Sequence, residues 1–122
     1  MRKISLRSLR NRRDFESVFK NGISAGSRYL VIYARPNGLS FNRLGLSVSK
    51  KIGKAVTRNR IKRLIKEAVK KLLEEISLNH DFVFVAKKSS VDGGLDDFIH
   101  DIKRFLSRLC NEKDSRCGYK VI

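Results

Sequence analysis

Hydrophobic residues recur at the period of an α-helix in three segments of the chain. The longest segment predicts a helix over residues 55–76, because its apolar positions keep the helical period for about four turns. The same period predicts a short helix over residues 11–20 and a last helix over residues 95–109. Asn11 is suited to cap the start of the short helix, and Gly22 is suited to end it. Each predicted helix therefore has one apolar face to bury.

Other segments alternate apolar and polar residues, as strands do. Predicted strands cover residues 28–35, 43–49 and 81–87, and residues 23–27 allow a further short strand. The strand predicted over residues 43–49 carries only small side chains on one face, namely Gly45, Ser47 and Ser49. The element order α-β-(β)-β-α-β-α predicts an α+β fold, a single-domain α/β sandwich in which the helices pack on one sheet.

The length of 122 residues suits one compact domain. We expect order over about residues 5–110 and a C-terminal tail over residues 111–122. Cys110 and Cys117 are expected to be free thiols, although a single disulfide between them stays open. Their spacing and number do not suit a zinc site, which needs four ligands.

The chain shows no membrane or export signal. No apolar run approaches the ~18 residues that a spanning helix needs. The N-terminus is basic but lacks the apolar stretch of a signal peptide. We therefore expect a soluble protein of the cytoplasm with no membrane partner.

Charge changes this picture most, because the chain carries a formal net charge of +16. Residues 1–76 hold 20 of the 28 Lys and Arg but only 5 of the 12 Asp and Glu. Self-repulsion of this size opposes folding unless a polyanion relieves it. Nucleic acid is the polyanion that such a distribution favours.

The basic residues are densest over residues 50–71, which contain ten Lys or Arg and a single acid, Glu67. A solvated helix usually mixes both signs to gain pairs at i,i+4. This one stacks like charges instead, along a stripe that includes Asn59, Arg63 and Lys66. That pattern predicts a phosphate-binding face, for which the planar fork of arginine is well suited.

The same region resembles a known family. Residues 45–53 read GLSVSKKIG, Ala55 and Val56 follow, and residues 58–63 read RNRIKR. Together with residues 14–22, DFESVFKNG, and the strand that ends in Val31-Ile32-Tyr33, these motifs resemble the protein subunits of bacterial ribonuclease P. The resemblance covers about residues 5–110 and is most specific in the Arg-Asn-Arg run.

The resemblance implies both a fold and a function. It implies a left-handed crossover between parallel strands through the long helix, against the usual right-handed rule. It also implies a subunit of an endoribonuclease that removes the 5′ leader of precursor tRNA. In that family an RNA performs the hydrolysis with Mg²⁺, which the RNA mainly binds. The implied partners are this catalytic RNA and precursor tRNA, with no obligatory protein partner and no catalytic or metal-binding residue in the chain.

Two sets of site residues are predicted. The set assigned to the catalytic RNA is Lys50, Lys51, Lys54, Arg58, Asn59, Arg60, Lys62, Arg63 and Lys66. The set assigned to a cleft for the leader is Phe15, Phe19, Val31, Tyr33 and Ser47. Single-stranded RNA is held by basic grooves with aromatic platforms, which the second set can supply if the first helix covers one end of the sheet. Aromatic residues at helical spacing are also typical of a core, so for Phe15 and Phe19 that alternative stays open.

Three other functions are weaker. A metal-dependent nuclease needs converging carboxylates, and Asp97 with Asp101 at i,i+4 is more typical of a solvated helix face. A general RNA-binding module, such as a ribosomal protein or RNA chaperone, shares the charge and the size but not the motifs. A DNA-binding helix could read base edges with Arg and Asn, although strands flank it and no helix-turn-helix is recognised.

Overall fold

A five-stranded sheet of order β1-β4-β5-β3-β2 forms the centre of the computed structural model, which describes residues 6–73 and 79–112. The strands are β1 (Leu6–Ser8), β2 (Ile23–Gly26), β3 (Leu30–Pro36), β4 (Asn42–Ser47) and β5 (His80–Ala86). The helices are α1 (Arg12–Asn21), α2 (Ala55–Leu73) and α3 (Leu95–Glu112), and the 3-10 helices Lys50–Ile52 and Lys88–Asp92 precede α2 and α3. The predicted α+β class is confirmed.

Most predicted elements are present, with shifts of a few residues at their ends. The Asn11 side chain caps α1 by accepting a hydrogen bond of 2.9 Å from the Arg13 backbone N–H. The optional strand is β2. The sequence missed β1, because three residues are too short to show an alternation. The helix α3 continues to Glu112, beyond its predicted end at residue 109. Residues 74–76 of the predicted long helix and the tail from residue 113 lie outside the described residues.

The two faces of the sheet bury different helices. The main core lies on the face that α2 and α3 cover. Its largest fully buried side chains include Phe82, Phe84, Phe98, Leu30, Ile32, Ile61 and Ile65. A smaller cluster lies on the other face under α1 and contains Leu9, Val18 and Val83. The strand alternation explains this division, because successive residues of β3 and β5 point to opposite faces.

The strand directions provide the connection that the resemblance implies. Strands β4 and β5 are neighbours and parallel, and α2 lies between them in the chain. Strand β5 also pairs with β3 in the antiparallel direction, and β3 pairs with β2 to form a hairpin. The hand of the β4-α2-β5 connection stays a prediction.

A buried ion pair holds α1 against the sheet. Asp81 is only 2% exposed, and both of its carboxylate oxygens accept hydrogen bonds of 2.7 Å from Arg43 on the next strand. Asn37 donates a further hydrogen bond of 2.9 Å to Asp81. The same Arg43 side chain reaches Asp14 of α1, at 3.2 Å. The network therefore joins β4, β5 and the first turn of α1.

A second contact joins α1 to β3, where the Arg35 guanidinium donates to the Ser17 hydroxyl.

The hydrogen bond with Asp81 raises the pKa of Arg43 above its ordinary value. The nearby carboxylate charges also raise this pKa, whereas burial of the side chain lowers it. Arg43 therefore stays charged, which the pairing requires.

We expect Asp81→Ala to lower the free energy of unfolding by about 3 kcal/mol, because it leaves a largely buried guanidinium without its carboxylate. Urea unfolding measures the change. The control is Arg12→Ala, which breaks the solvent-exposed Arg12–Glu16 pair and should cost less than about 1 kcal/mol. Equal effects of the two substitutions would show that the buried network does not hold the fold.

Candidate nucleic-acid interface

Strand register arranges the sheet face under α1 in three rows across β3, β5 and β4. The rows are Arg35-Asp81-Arg43, Tyr33-Val83-Gly45 and Val31-Val85-Ser47. Side chains of α1 contact the first row through Asp14 and Ser17 and the second row through the aromatic residues described below. Val31, Val85 and Ser47 are only partly buried. The third row therefore stays uncovered beside α1, and we call it the open row.

Phe15 lies directly on the backbone of β4. A Cβ atom added at Gly45 would lie 2.5 Å from Cζ of the Phe15 ring, which is closer than van der Waals contact permits. The lack of large side chains on this face of β4 thus leaves space for an aromatic ring. Phe15 is half-buried and packs against the small cluster under α1, so the core alternative holds in part for this residue.

Phe19 and Tyr33 form the wall of the open row. Their ring centroids lie 4.8 Å apart with planes at 81°, and the Phe15 and Phe19 centroids lie 6.2 Å apart. Phe19 is 42% exposed, which is unusual for an aromatic residue that packing alone would place. The three rings therefore present aromatic surface to solvent along the side of the open row.

The structure brings all five predicted cleft residues to this one face. Val31 and Ser47 occupy the two ends of the open row, and Phe15, Phe19 and Tyr33 lie along its side. The sequence prediction missed Val85, which lies between Val31 and Ser47. The signal was available, because alternation along β5 places Val85 on the same face as Val83. Binding of the leader at these residues stays a prediction.

The basic set lies on the segment that leaves β4 and on α2. Arg58 and Lys62 are half-buried, and the other members are exposed, namely Lys50, Lys51, Lys54, Asn59, Arg60, Arg63 and Lys66. The opposite side of α2 buries Ile61, Ile65, Ala68 and Val69 completely. The predicted stripe of charge thus faces solvent because the apolar stripe fills the core.

Two of these arginines are held by backbone carbonyl groups. Nε of Arg58 donates to the carbonyl of Gly53 at 3.2 Å, and an Nη of Arg60 donates to the carbonyl of Gly93 at 3.3 Å. Within residues 6–73 and 79–112, no Lys or Arg of α2 forms an ion pair. Their charge is therefore available to a polyanion rather than neutralised within the described fold.

The basic segment continues directly from the open row. Ser47 ends β4, and Lys50 begins the 3-10 helix three positions later. The hydroxyl of Ser49 caps that turn by accepting a hydrogen bond from the Lys51 backbone N–H at 3.3 Å. The open row and the basic segment therefore adjoin at the C-terminal end of β4.

The acidic residues of α3 have structural roles. Asp97 accepts a hydrogen bond of 2.9 Å from the Gly94 backbone N–H at the helix start. Asp101 is buried and accepts hydrogen bonds from Ser27 and from the Tyr29 backbone. The predicted solvated face is therefore wrong for Asp101, because the β2-β3 hairpin folds onto it. Among the described residues, no three His, Cys, Asp or Glu side chains come together to hold a metal.

No described helix is long and apolar enough to cross a membrane. Cys110 falls near the end of α3 and Cys117 lies outside the described residues, so free thiols at these positions stay a prediction.

Fold, charge and exposed aromatic rings together define a small basic α+β protein with the surface of a polyanion binder.

Comparisons with known proteins identify the family. The sequence model of the ribonuclease P family matches residues 5–110. A ribonuclease P protein component from Clostridioides difficile is 45% identical over 103 residues, covering 84% of this chain and 90% of the relative. One from Caldanaerobacter subterraneus is 39% identical over 111 residues, covering 89% and 96%.

Solved structures agree. The RNase P protein of Staphylococcus aureus superposes with a TM-score of 0.76 at 33% identity, over 84% of this chain and 94% of that one. The protein from Thermotoga maritima gives a TM-score of 0.74 at 32% identity, over 83% and 96%. The chain belongs to the family of ribonuclease P protein components. Membership implies a subunit of an endoribonuclease and an RNA partner.

We expect Gly45→Ala to destabilise the fold by about 1–3 kcal/mol, because the new methyl group displaces the Phe15 ring. Thermal or urea unfolding measures this cost. Gly26→Ala is the matched control, since a Cβ at that position meets only the flexible end of Lys87, at 3.8 Å. Equal stability of the two variants would contradict the packing of Phe15 on β4.

Proposed function

We propose that this protein binds the catalytic RNA of ribonuclease P through the basic face of α2 and the single-stranded 5′ leader of precursor tRNA through the open row beside α1. In doing so it promotes the Mg²⁺-dependent removal of the leader, which leaves the mature 5′ end of the tRNA. The observation that carries the proposal is the exposed Phe19–Tyr33 wall beside an open row that leads to a basic segment, whose Lys and Arg form no ion pair within the described residues.

The dimensions of the open row favour a single strand. From Val31 to Ser47 the row crosses two interstrand spacings, about 10 Å. A row of this length accommodates a short stretch of one extended chain, whose bases can stack on the ring wall while its phosphates meet Lys50 and Lys51. Stacking on aromatic side chains tolerates different bases, so this surface would bind leaders of different sequence.

The protein's contribution is binding and positioning. The described residues offer no metal-ligand cluster, so we assign no chemical step to a protein-bound Mg²⁺. The metal ions would be held mainly by the RNA, which would perform the hydrolysis. A basic face lowers the repulsion between RNA strands and thereby lowers the Mg²⁺ concentration that the assembly needs. A cytoplasmic location and the lack of an obligatory protein partner stay predictions.

Phe19→Ala should weaken binding of precursor tRNA to the assembled complex by about 5- to 150-fold, because one base loses about 1–3 kcal/mol of stacking. Equilibrium binding of precursor and mature tRNA measures the effect, which should be confined to the precursor. Leu39→Ala is the control, since Leu39 is similarly exposed but lies in the β3-β4 loop. A general RNA-binding module would instead bind precursor and mature tRNA equally well, with or without Phe19.

Arg58→Ala combined with Arg60→Ala should weaken assembly with the catalytic RNA by about tenfold, as two phosphate contacts are lost. The slope of log affinity against log salt should fall by about 1.4–1.8. The control pair is Arg12→Ala with Lys103→Ala, which removes two exposed cations outside α2. An assembly affinity no lower than that of the control pair, at near-physiological salt, would contradict the assignment of this face.

A further inference from the structure

A small pocket lies between the open edge of β2 and α3, outside both surfaces assigned above. Its volume is about 60 Å³, enough for a group of a few heavy atoms. Gly26 and Ser27 line it from the strand, and Arg104 and Arg108 line it from the helix. The buried ring of Phe105 forms part of its floor.

Two arginines bring positive charge to the pocket. Arg104 and Arg108 stand at i and i+4 on α3, so they lie on the same side of the helix, and both are exposed. Neither forms an ion pair with any described residue. Like charges at this spacing cost a helix about 0.2–0.5 kcal/mol. The arrangement therefore favours an anion that both guanidinium groups can bind.

A backbone N–H also lies at the strand edge that borders the pocket. The Ser27 N–H donates to the Leu30 carbonyl, which makes Ser27 and Leu30 a hydrogen-bonded pair of the β2-β3 ladder. Pairs of this kind alternate along an antiparallel ladder. The next residue, Gly26, which is in register with Val31, therefore directs its N–H away from β3 and toward the free edge. A Cβ at Gly26 would meet only Nζ of Lys87, at 3.8 Å, so the sheet face is open at this residue.

Asp101 shapes the pocket without neutralising it. One of its carboxylate oxygens accepts hydrogen bonds from the Ser27 hydroxyl at 2.7 Å and from the Tyr29 backbone N–H at 3.2 Å. These contacts fix the β2-β3 turn against α3. Among the described residues that line the pocket, two guanidinium groups and one carboxylate leave an excess of one positive charge, which matches the single negative charge of a phosphodiester.

The pocket lies around the β2 edge from the open row, on the sheet face that α3 covers, because its lining residues Ile32 and Phe105 belong to the main core. Gly26 is the register partner of Val31, so the row Ser47-Val85-Val31 continues to Gly26 across one more strand. The distance from β4 to β2 is three interstrand spacings, about 14 Å. A chain that follows the row and passes around the Gly26 edge meets Arg104 and Arg108 next.

We propose that this pocket binds a backbone phosphate of the leader where the leader leaves the open row at the β2 edge. The inference rests on the proposed function and extends its binding track to α3. It assigns Arg104 and Arg108 to the nucleotides at the end of the leader that projects beyond β2, so it concerns precursors with long leaders and not assembly with the catalytic RNA.

The test compares Arg104→Ala/Arg108→Ala with the unaltered protein on precursors whose leaders increase one nucleotide at a time. The unaltered complex should gain affinity and salt dependence when the leader becomes long enough to reach the pocket. The variant should lose that gain, about fivefold in affinity and about 0.7 in the log–log salt slope. Arg104→Lys/Arg108→Lys should retain the salt slope, because it keeps both charges.

Lys103→Ala is the control, because it removes an exposed cation from α3 outside the pocket lining. An effect no greater than that of this control, an equal loss with short leaders, or a loss in assembly with the RNA alone would each overturn the pocket assignment. Phe19→Ala separates this failure from failure of the proposed function. If Phe19→Ala weakens precursor binding while the arginine variant does not, the open row binds the leader and the pocket does not.

Discussion

Asp81 brings a carboxylate onto a largely buried sheet face, where two hydrogen bonds from Arg43 and one from Asn37 replace its lost water. Because Arg43 also reaches Asp14, this pairing determines where α1 crosses the sheet. The position of α1 in turn decides which row is covered and which stays open. The aromatic wall, the open row and its continuation toward β2 all depend on that placement.

Two surfaces that would bind RNA by different interactions, aromatic stacking and charge attraction, adjoin at the end of β4. The open row offers aromatic rings and little charge, and α2 offers dense positive charge and an opposite face that is fully buried. Stacking discriminates a flexible single strand from a duplex, whereas charge attracts any phosphate backbone. A protein with both can assemble with one RNA and hold part of another. The exposed Phe19 and the cations of α2, which form no ion pair in the part of the chain that the structure describes, are costs that a structure selected only for stability would avoid.

The period of apolar residues predicted the helices and the buried faces of β3 and β5, because burial determines that pattern. Three residues of β1 carry too little pattern to be recognised. Register decides neighbours across strands, and no local pattern reports it, so the place of Val85 between Val31 and Ser47 could be read only from the sheet. Asp101 looked solvated because its partners, Ser27 and Tyr29, lie about seventy positions away in the chain. The grouping of Phe15, Phe19 and Tyr33 was expected from family resemblance, and Gly45 supplies its physical reason.

Reconstitution with the catalytic RNA is the decisive test of the proposed function. The protein is combined with a bacterial ribonuclease P RNA and precursor tRNA at low Mg²⁺, and each component is also assayed alone. We expect correct 5′ cleavage only when protein and RNA are both present, with RNA alone active only at high Mg²⁺. Cleavage by the repurified protein alone, or no stimulation of a cognate RNA at low Mg²⁺, would contradict the proposed function.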